Sequence, residues 1–221
     1  MKNYDICIFD LDGTLINSLD DLADSCNEAL KMNGMPVHET EKYRYFVGSG
    51  IKNLIKRVLP DHGDDETLAQ RVYEGFNTAY QKNCLNKTKP YSGIKNMLAV
   101  LAKHGVKLAV LSNKPDDFSK MITDTLFDVG TFDAVWGKKA EFPIKPDPTA
   151  LLAMLDSFSA VPDRCLYVGD SDVDCITARN AGVDFVGAQW GFRGRQELVN
   201  AGAEFIAATP EDIVNKVCSN E

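Results

Sequence analysis

The 221-residue sequence predicts an α/β protein, a doubly wound, Rossmann-like parallel sheet interrupted once by an α-helical insertion. Three observations predict it. The apolar run Ile6-Cys7-Ile8-Phe9 reads as a buried strand and leads directly into the acidic loop Asp10-Leu11-Asp12-Gly13-Thr14-Leu15. From about residue 17 to residue 88 apolar side chains recur only at helical spacing. Beyond residue 93 strand and helix patterns alternate, and repeated β-α units imply a parallel sheet covered on both faces.

At the first strand end, residues two apart on extended backbone point the same way, so Asp10 and Asp12 converge while Gly13 permits a sharp turn behind them. Converging carboxylates repel, and a bound cation or a substrate proton relieves that repulsion. Ser18-x-x-Asp21 then has the form of a capping box. Leu19, Leu22, Ala23, Cys26, Ala29 and Leu30 follow at helical spacing until Asn33-Gly34 and Pro36 end the segment. A second helix is predicted over Ile51, Leu54, Ile55 and Val58, broken by Pro60, and a third over Leu68, Val72, Phe76, Ala79 and Tyr80. Three helices without a strand are too many for a crossover connection. Residues 17–88 are therefore expected to form an inserted helical domain, with 1–16 and 89–221 as the α/β core. Ile16-Asn17 and residues 86–91 would be the linkers. Further core strands are predicted at 106–111, 134–136, 166–168, 185–187 and 205–206, with helices at 94–102, 116–126, 149–156, 173–181, 196–201 and 210–217.

The net charge of -8 argues against nucleic acid or an anionic membrane as the main partner. Its 6 cysteines are scattered, without a CxxC and without zinc-like pairing to the 3 histidines, so reduced thiols and a cytoplasmic location are expected. The first apolar run is too short for a signal peptide, and no segment is long enough to span a bilayer. A monomer and a homodimer are equally compatible with the sequence.

Three more stretches carry chemistry. Ser112-Asn113 follows a predicted strand, where a hydroxyl and adjacent backbone N–H groups bind phosphate oxygens or simply form a turn or helix cap. In Lys145-Pro146-Asp147-Pro148 the prolines restrict the backbone and so fix where Lys145 points, and an ammonium there offsets the repulsion between a phosphate dianion and several aspartates. In Gly169-Asp170-Ser171-Asp172-Val173-Asp174, Asp170 and Asp174 are four apart at a helix start and turn toward one side, with Asp172 read as an N-cap.

In this order, the four stretches resemble the four motifs of the haloacid dehalogenase superfamily in its phosphatase branch, and the resemblance covers essentially the whole chain. It implies that Asp10 is a nucleophile forming an aspartyl-phosphate and that Asp12 is the general acid and base. It also implies that Ser112, Asn113 and Lys145 bind phosphate, that Asp10, Asp12 and Asp170 are metal ligands, and that Asp174 stands behind them. Carboxylates, a backbone carbonyl, waters and phosphate suit Mg²⁺ as the cofactor. Dehalogenases of the superfamily lack an acid where Asp12 stands, so phosphoryl transfer is expected rather than carbon–halogen cleavage.

The insertion between the first two motifs resembles the subgroup with a helical cap that includes phosphoglycolate phosphatase. The expected substrate is a small phosphorylated metabolite, 2-phosphoglycolate first, with a phosphomutase, pyrophosphatase or nucleotidase of the same fold as alternatives. A phospho-receiver domain would carry its phosphorylated Asp where this chain has Ser112 and would lack the insertion. Asn17 stands where phosphoglycolate phosphatases often have Asp. The turn Val47-Gly48-Ser49-Gly50 resembles the substrate-facing loop of the cap, which makes Gly48, Gly50 and Lys52 candidate substrate contacts, and Lys114, Trp190 and Arg193 are further candidates on strand-end loops.

Overall fold

The computed structural model describes residues 3–59 and 65–218. Its main sheet has six parallel strands: β1 (Ile6–Phe9), β4 (Lys107–Pro115), β5 (Ala134–Lys138), β6 (Cys165–Gly169), β7 (Asp184–Ala188) and β8 (Ile206–Ala207), in the order β5-β4-β1-β6-β7-β8. β1 lies between β4 and β6, with Ile8 paired to Ala109 on one side and to Tyr167 on the other. Connections leave β1 in both directions, so the loops after β1, β4 and β6 meet at one sheet end, where α/β folds bind ligands.

Strand alternation sorts the apolar residues onto two faces. Cys7 and Phe9 pack with α5 (Ile94–Lys103), α6 (Asp116–Leu126) and α10 (Pro210–Cys218) through Met97, Leu101, Ile122 and Ile213. Ile6 and Ile8 pack on the opposite face with α7 (Thr149–Ser157) and α8 (Asp172–Ala181) through Leu151, Met154 and Ala178. α9 (Gly194–Asn200) buries Leu198.

Between β1 and α5 the chain forms β2 (Ile16–Asn17), then α1 (Leu19–Met32), a 3-10 turn at Thr40–Lys42, α2 (Tyr43–Phe46), α3 (Ile51–Val58), α4 (Glu66–Asn83) and β3 (Lys89–Pro90). β2 and β3 pair antiparallel, Ile16 with Pro90, so the chain leaves and re-enters the core through a two-residue ribbon. Apolar residues of α1 and α4, including Ala23, Cys26, Val72 and Phe76, join the core cluster on the Phe9 side of the sheet.

Several expectations are corrected. Ser18 is the N-cap of α1, but its side chain makes no cap hydrogen bond, and Asp21 turns away to a different partner, so the expected capping box is absent there. A capping box forms instead at α8, between Ser171 and Asp174, which makes Asp172 the first helical residue rather than the cap. β4 runs four residues past the predicted end at Leu111, because Ser112, Asn113 and Lys114 stay extended across a register shift against β5. The 3-10 turn and α2 were too short to show periodicity. Pro60, expected to end α3, lies outside the described residues, and α3 ends at Val58. The six cysteines form no disulfide. No helix among the described residues is long and apolar enough to cross a membrane.

Candidate active site

Asp10 and Asp170 directly follow the ends of β1 and β6, Asp12 lies in the loop after β1, and Asp174 is in the first turn of α8. The Asp10 N–H donates to Val168 O at 2.9 Å, which fixes the end of β1 against β6. The carboxylates of Asp10, Asp170 and Asp174 are buried and offer oxygens within 4.8 Å of one another. Lys145, 3% exposed, stands behind them, its ammonium donating to Asp174 Oδ1 at 2.7 Å, the Tyr167 hydroxyl at 2.9 Å and Leu111 O at 3.2 Å. Those bonds use its three protons. Asp10 Oδ1 is 3.0 Å from Lys145 Nζ as an ion pair, yet receives no aligned hydrogen bond.

This placement sets the charges. Burial pushes the Asp10 carboxyl up to about 6, with Lys145 opposing and Asp174 and Asp12 adding to the shift. Asp170 is also raised, by burial and by the neighbouring Asp174 and Asp10. Burial works against the Lys145 ammonium, but Asp10 and Asp174 outweigh it and hold the group charged. Asp170 accepts from the Phe192 N–H at 2.7 Å and is hemmed in by two glycines. A Cβ on Gly13, whose φ is +85°, would meet Asp170 Oδ2 at 2.4 Å, and a Cβ on Gly191 would meet Asp170 Cβ at 2.2 Å. A side chain at either place would displace the carboxylate.

Asp12 has a separate environment. Its carboxylate oxygens each lie 3.0 Å from Lys114 Nζ, and Oδ1 also accepts from the Ser18 hydroxyl. Lys114 in turn donates to the Tyr80 hydroxyl of α4 at 2.7 Å. Burial disfavours the Lys114 charge, but Asp12 and Tyr80 more than offset it and the ammonium is stabilised.

A cavity of about 50 Å³ joins these groups. Asp10, Asp12, Ser112, Asn113, Lys114 and Asp170 form its floor, and Leu22, Val47, Ile51, Leu54 and Phe76 supply an apolar roof. Of the expected substrate contacts, Gly48 and Gly50 line this cavity and so does Arg193, whereas Lys52 is exposed and outside it. Trp190 donates to Thr14 O at 3.0 Å and does not line the cavity. The Asn113 amide group spans core and insertion, donating to Gly48 O at 3.0 Å and to Lys145 O at 3.1 Å while accepting from the Lys145 N–H at 2.9 Å. Its side chain therefore positions Lys145, and the Lys145–Pro146 bond is cis. Arg193 donates to Val47 O at 3.0 Å.

Sequence reasoning missed Tyr80, read only as an apolar helix position, and Ser18, read as a cap. A tyrosine inside an otherwise apolar stripe was the available signal, because a buried hydroxyl needs a polar partner.

Residues 7–188 match the family model of haloacid dehalogenase-like hydrolases. A phosphoglycolate phosphatase of Aquifex aeolicus is 34% identical over 209 residues, 95% of this chain and 94% of that protein. One of Haemophilus influenzae is 33% identical over 204 residues, 90% of this chain and 91% of that protein. A crystal structure from Lactobacillus delbrueckii subsp. bulgaricus superposes with a TM-score of 0.91 at 32% identity, covering 98% of this chain and 99% of that one. A family-model match over most of the chain, relatives above 30% identity and a superposition over nearly the full length leave one conclusion: the chain belongs to the haloacid dehalogenase-like hydrolase family.

Proposed function

We propose that this phosphatase of small phosphorylated metabolites hydrolyses 2-phosphoglycolate through an aspartyl-phosphate on Asp10. The observation that carries the reading is Asp10 itself, a buried carboxylate at a strand end whose Oδ1 opposes Lys145 without a hydrogen bond and whose surroundings open into the cavity. The similarity to proteins named phosphoglycolate phosphatase supports the substrate.

An oxygen of Asp10 attacks phosphorus, forming the Asp10–phosphorus bond as the bond to the leaving oxygen breaks. Asp12 gives its proton to that oxygen, releasing glycolate, then accepts a proton from the water that attacks the aspartyl-phosphate. Inorganic phosphate leaves and Asp10 is restored. Ser112, at the cavity floor, offers its hydroxyl to a phosphate oxygen. Lys145 orients Asp10 and offsets the negative charge of the acidic cluster.

The donor set fits Mg²⁺: hard carboxylate oxygens, one of them buried without a hydrogen bond. Asp10 and Asp170 would hold the ion. Asp174 has both oxygens committed, one to Lys145 and one to Ser171, and so stands behind them. The Asp12 carboxylate faces Lys114, which leaves its backbone oxygen for the metal. Bound there, Mg²⁺ supplies neutralisation of the phosphoryl oxygens. Residues 17–88 act as a cap that excludes water during the first step and opens at the β2–β3 ribbon to release product.

The test is phosphate release from 2-phosphoglycolate, pyrophosphate, a nucleoside monophosphate and a sugar phosphate, each with Mg²⁺ and with chelator. Mg²⁺-dependent turnover of 2-phosphoglycolate, abolished by Asp10→Asn, is the expected result. Absence of release from all four overturns the reading.

A further inference from the structure

Most donors on the side chains that line the cavity are already committed to the protein. Lys114 places its protons on the Asp12 oxygens and the Tyr80 hydroxyl. The Asn113 amide serves Gly48 O, Lys145 O and the Lys145 N–H, and the Ser171 hydroxyl donates to Asp174 at 2.7 Å. The roof of Leu22, Val47, Ile51, Leu54 and Phe76 offers no polar side chain at all. Arg193 is different. Its neighbour Phe192 donates its N–H to Asp170 at 2.7 Å, so the Arg193 backbone is fixed beside the acidic cluster. From there the guanidinium reaches the Gly48 turn, where a Cβ on Gly48 would stand 3.8 Å from Nη2. Nη2 donates to Val47 O at 3.0 Å and to Tyr45 O at 3.5 Å, and Nη1 donates to Glu197 at 3.3 Å. The guanidinium carbon lies 5.4 Å from the centre of the Tyr45 ring. A guanidinium has five N–H donors, so the Nε–H and one Nη1–H have no acceptor among the described residues. The side chain is only 13% exposed, which shields those donors from most of the solvent.

We infer that Arg193 binds a second anionic group on the substrate and so selects small phosphate monoesters that carry a carboxylate close to the ester oxygen. A carboxylate brought under an apolar roof, in a cavity already lined by Asp10, Asp12 and Asp170, is strongly disfavoured unless a cation pairs with it. Lys145 and Lys114 are spent on the protein's own carboxylates. Arg193 is then the lining cation with donors to spare. Glu197, its ion-pair partner, does not line the cavity and takes one proton, so it steadies the guanidinium without exhausting it. The contacts to Val47 O, Glu197 and the Tyr45 ring hold the group in place before substrate arrives, which lowers the ordering cost of binding. In 2-phosphoglycolate a single O–CH₂ link separates the phosphorus from the carboxylate carbon, and both charged ends enter one cavity. The inference rests on the reading of 2-phosphoglycolate as the substrate.

The test is the ratio of kcat/KM for 2-phosphoglycolate to that for 2-hydroxyethyl phosphate, in which a neutral hydroxymethyl group replaces the carboxylate. Comparing the ratio between variants cancels the intrinsic reactivity of the two esters. Arg193→Gln is expected to lower the ratio at least about tenfold, the lower end of what a hydrogen bond between charged groups contributes. Arg193→Lys keeps a charge without the planar fork and is expected to lower it less, about threefold. Thermal midpoints confirm that each variant is folded. Loosening of the Val47 turn, the effect of a purely structural role, would lower both esters together and leave the ratio alone. The same ratio is read as affinity by titration calorimetry in the Asp10→Asn background, where neither ester turns over, so a slow neutral ester cannot hide the effect. An unchanged ratio in either folded variant overturns the inference and leaves the substrate reading standing. Wild-type turnover of 2-hydroxyethyl phosphate but not of 2-phosphoglycolate overturns the substrate reading and this inference with it.

Discussion

At the scale of single residues, the site consists of carboxylates held close together with too few protons and cations to satisfy them. The raised Asp10 carboxyl makes a pH prediction whose sign follows from linkage. A carboxyl near 6 in the folded chain and near 4 in the unfolded chain binds its proton more tightly when folded. Its contribution to stability is therefore present below about pH 4 and lost as pH rises through about 6. Mg²⁺ competes for the same oxygens, so the gain in thermal midpoint on adding Mg²⁺ is expected to be larger at pH 7.5 than at pH 5, as read by scanning calorimetry. An equal gain at both pH values would remove Asp10 from the metal set. Gly191→Ala makes a second prediction. The new methyl would sit 2.2 Å from Asp170 Cβ and 2.5 Å from Gly13 O, so it displaces Asp170. Mg²⁺ affinity measured by titration calorimetry is expected to fall at least about tenfold, within the range that loss of metal-site support typically costs.

At the scale of elements, β4 and α1 carry more than their patterns announce. β4 reaches Pro115 and so delivers Ser112, Asn113 and Lys114 as one extended run with three separate tasks: lining the cavity floor, bridging to Gly48 and Lys145, and pairing with Asp12. α1 is joined to the returning chain by Asp21, 1% exposed, which accepts from the Lys87 N–H, the Thr88 N–H and the Thr88 hydroxyl at 2.7–3.0 Å. These bonds sit beside the β2–β3 ribbon and hold the two chain crossings together. Because charge-assisted bonds contribute about 1.5–3 kcal/mol each and an unpaired donor left behind costs more, Asp21→Ala is expected to destabilise the protein by about 3 kcal/mol or more in denaturant titration. A loss below about 1 kcal/mol would show that water replaces the carboxylate there.

At the scale of the whole molecule, two surfaces face each other across the cavity and touch through few polar groups. Asn113 bonds Gly48 O, Lys114 bonds the Tyr80 hydroxyl, Ser18 bonds Asp12, Arg193 bonds Val47 O and Tyr45 O, and Arg44 bonds Phe192 O at 3.3 Å. A junction made of so few bonds beside an apolar roof suits repeated opening. Arg193→Ala is expected to speed amide hydrogen exchange at residues 47–50 several-fold while leaving β1 and β6 at wild-type rates. Equal acceleration in the central strands would instead indicate global loss of stability.

Much of this protein was legible before any coordinates. Periodicity placed Ile6–Phe9 and Asp116–Leu126 at their observed bounds, because a buried strand and an amphipathic helix write their environment into a short stretch of chain. The motif residues announced themselves because carboxylates, a lysine just ahead of two prolines and a hydroxyl at a strand end are costly to place there without a partner. What the sequence could not decide was pairing across distance. Ser18 and Asp21 have the form of a capping box, yet one bonds Asp12 and the other bonds residues 87 and 88. Tyr80 has the form of a core residue, yet it bonds Lys114, thirty-four positions away. Local pattern is set by the backbone period and by burial, both of which each segment carries within itself. The partner of a buried hydroxyl, carboxylate or ammonium is chosen only when the insertion folds down onto the sheet and leaves one acceptor or donor within reach.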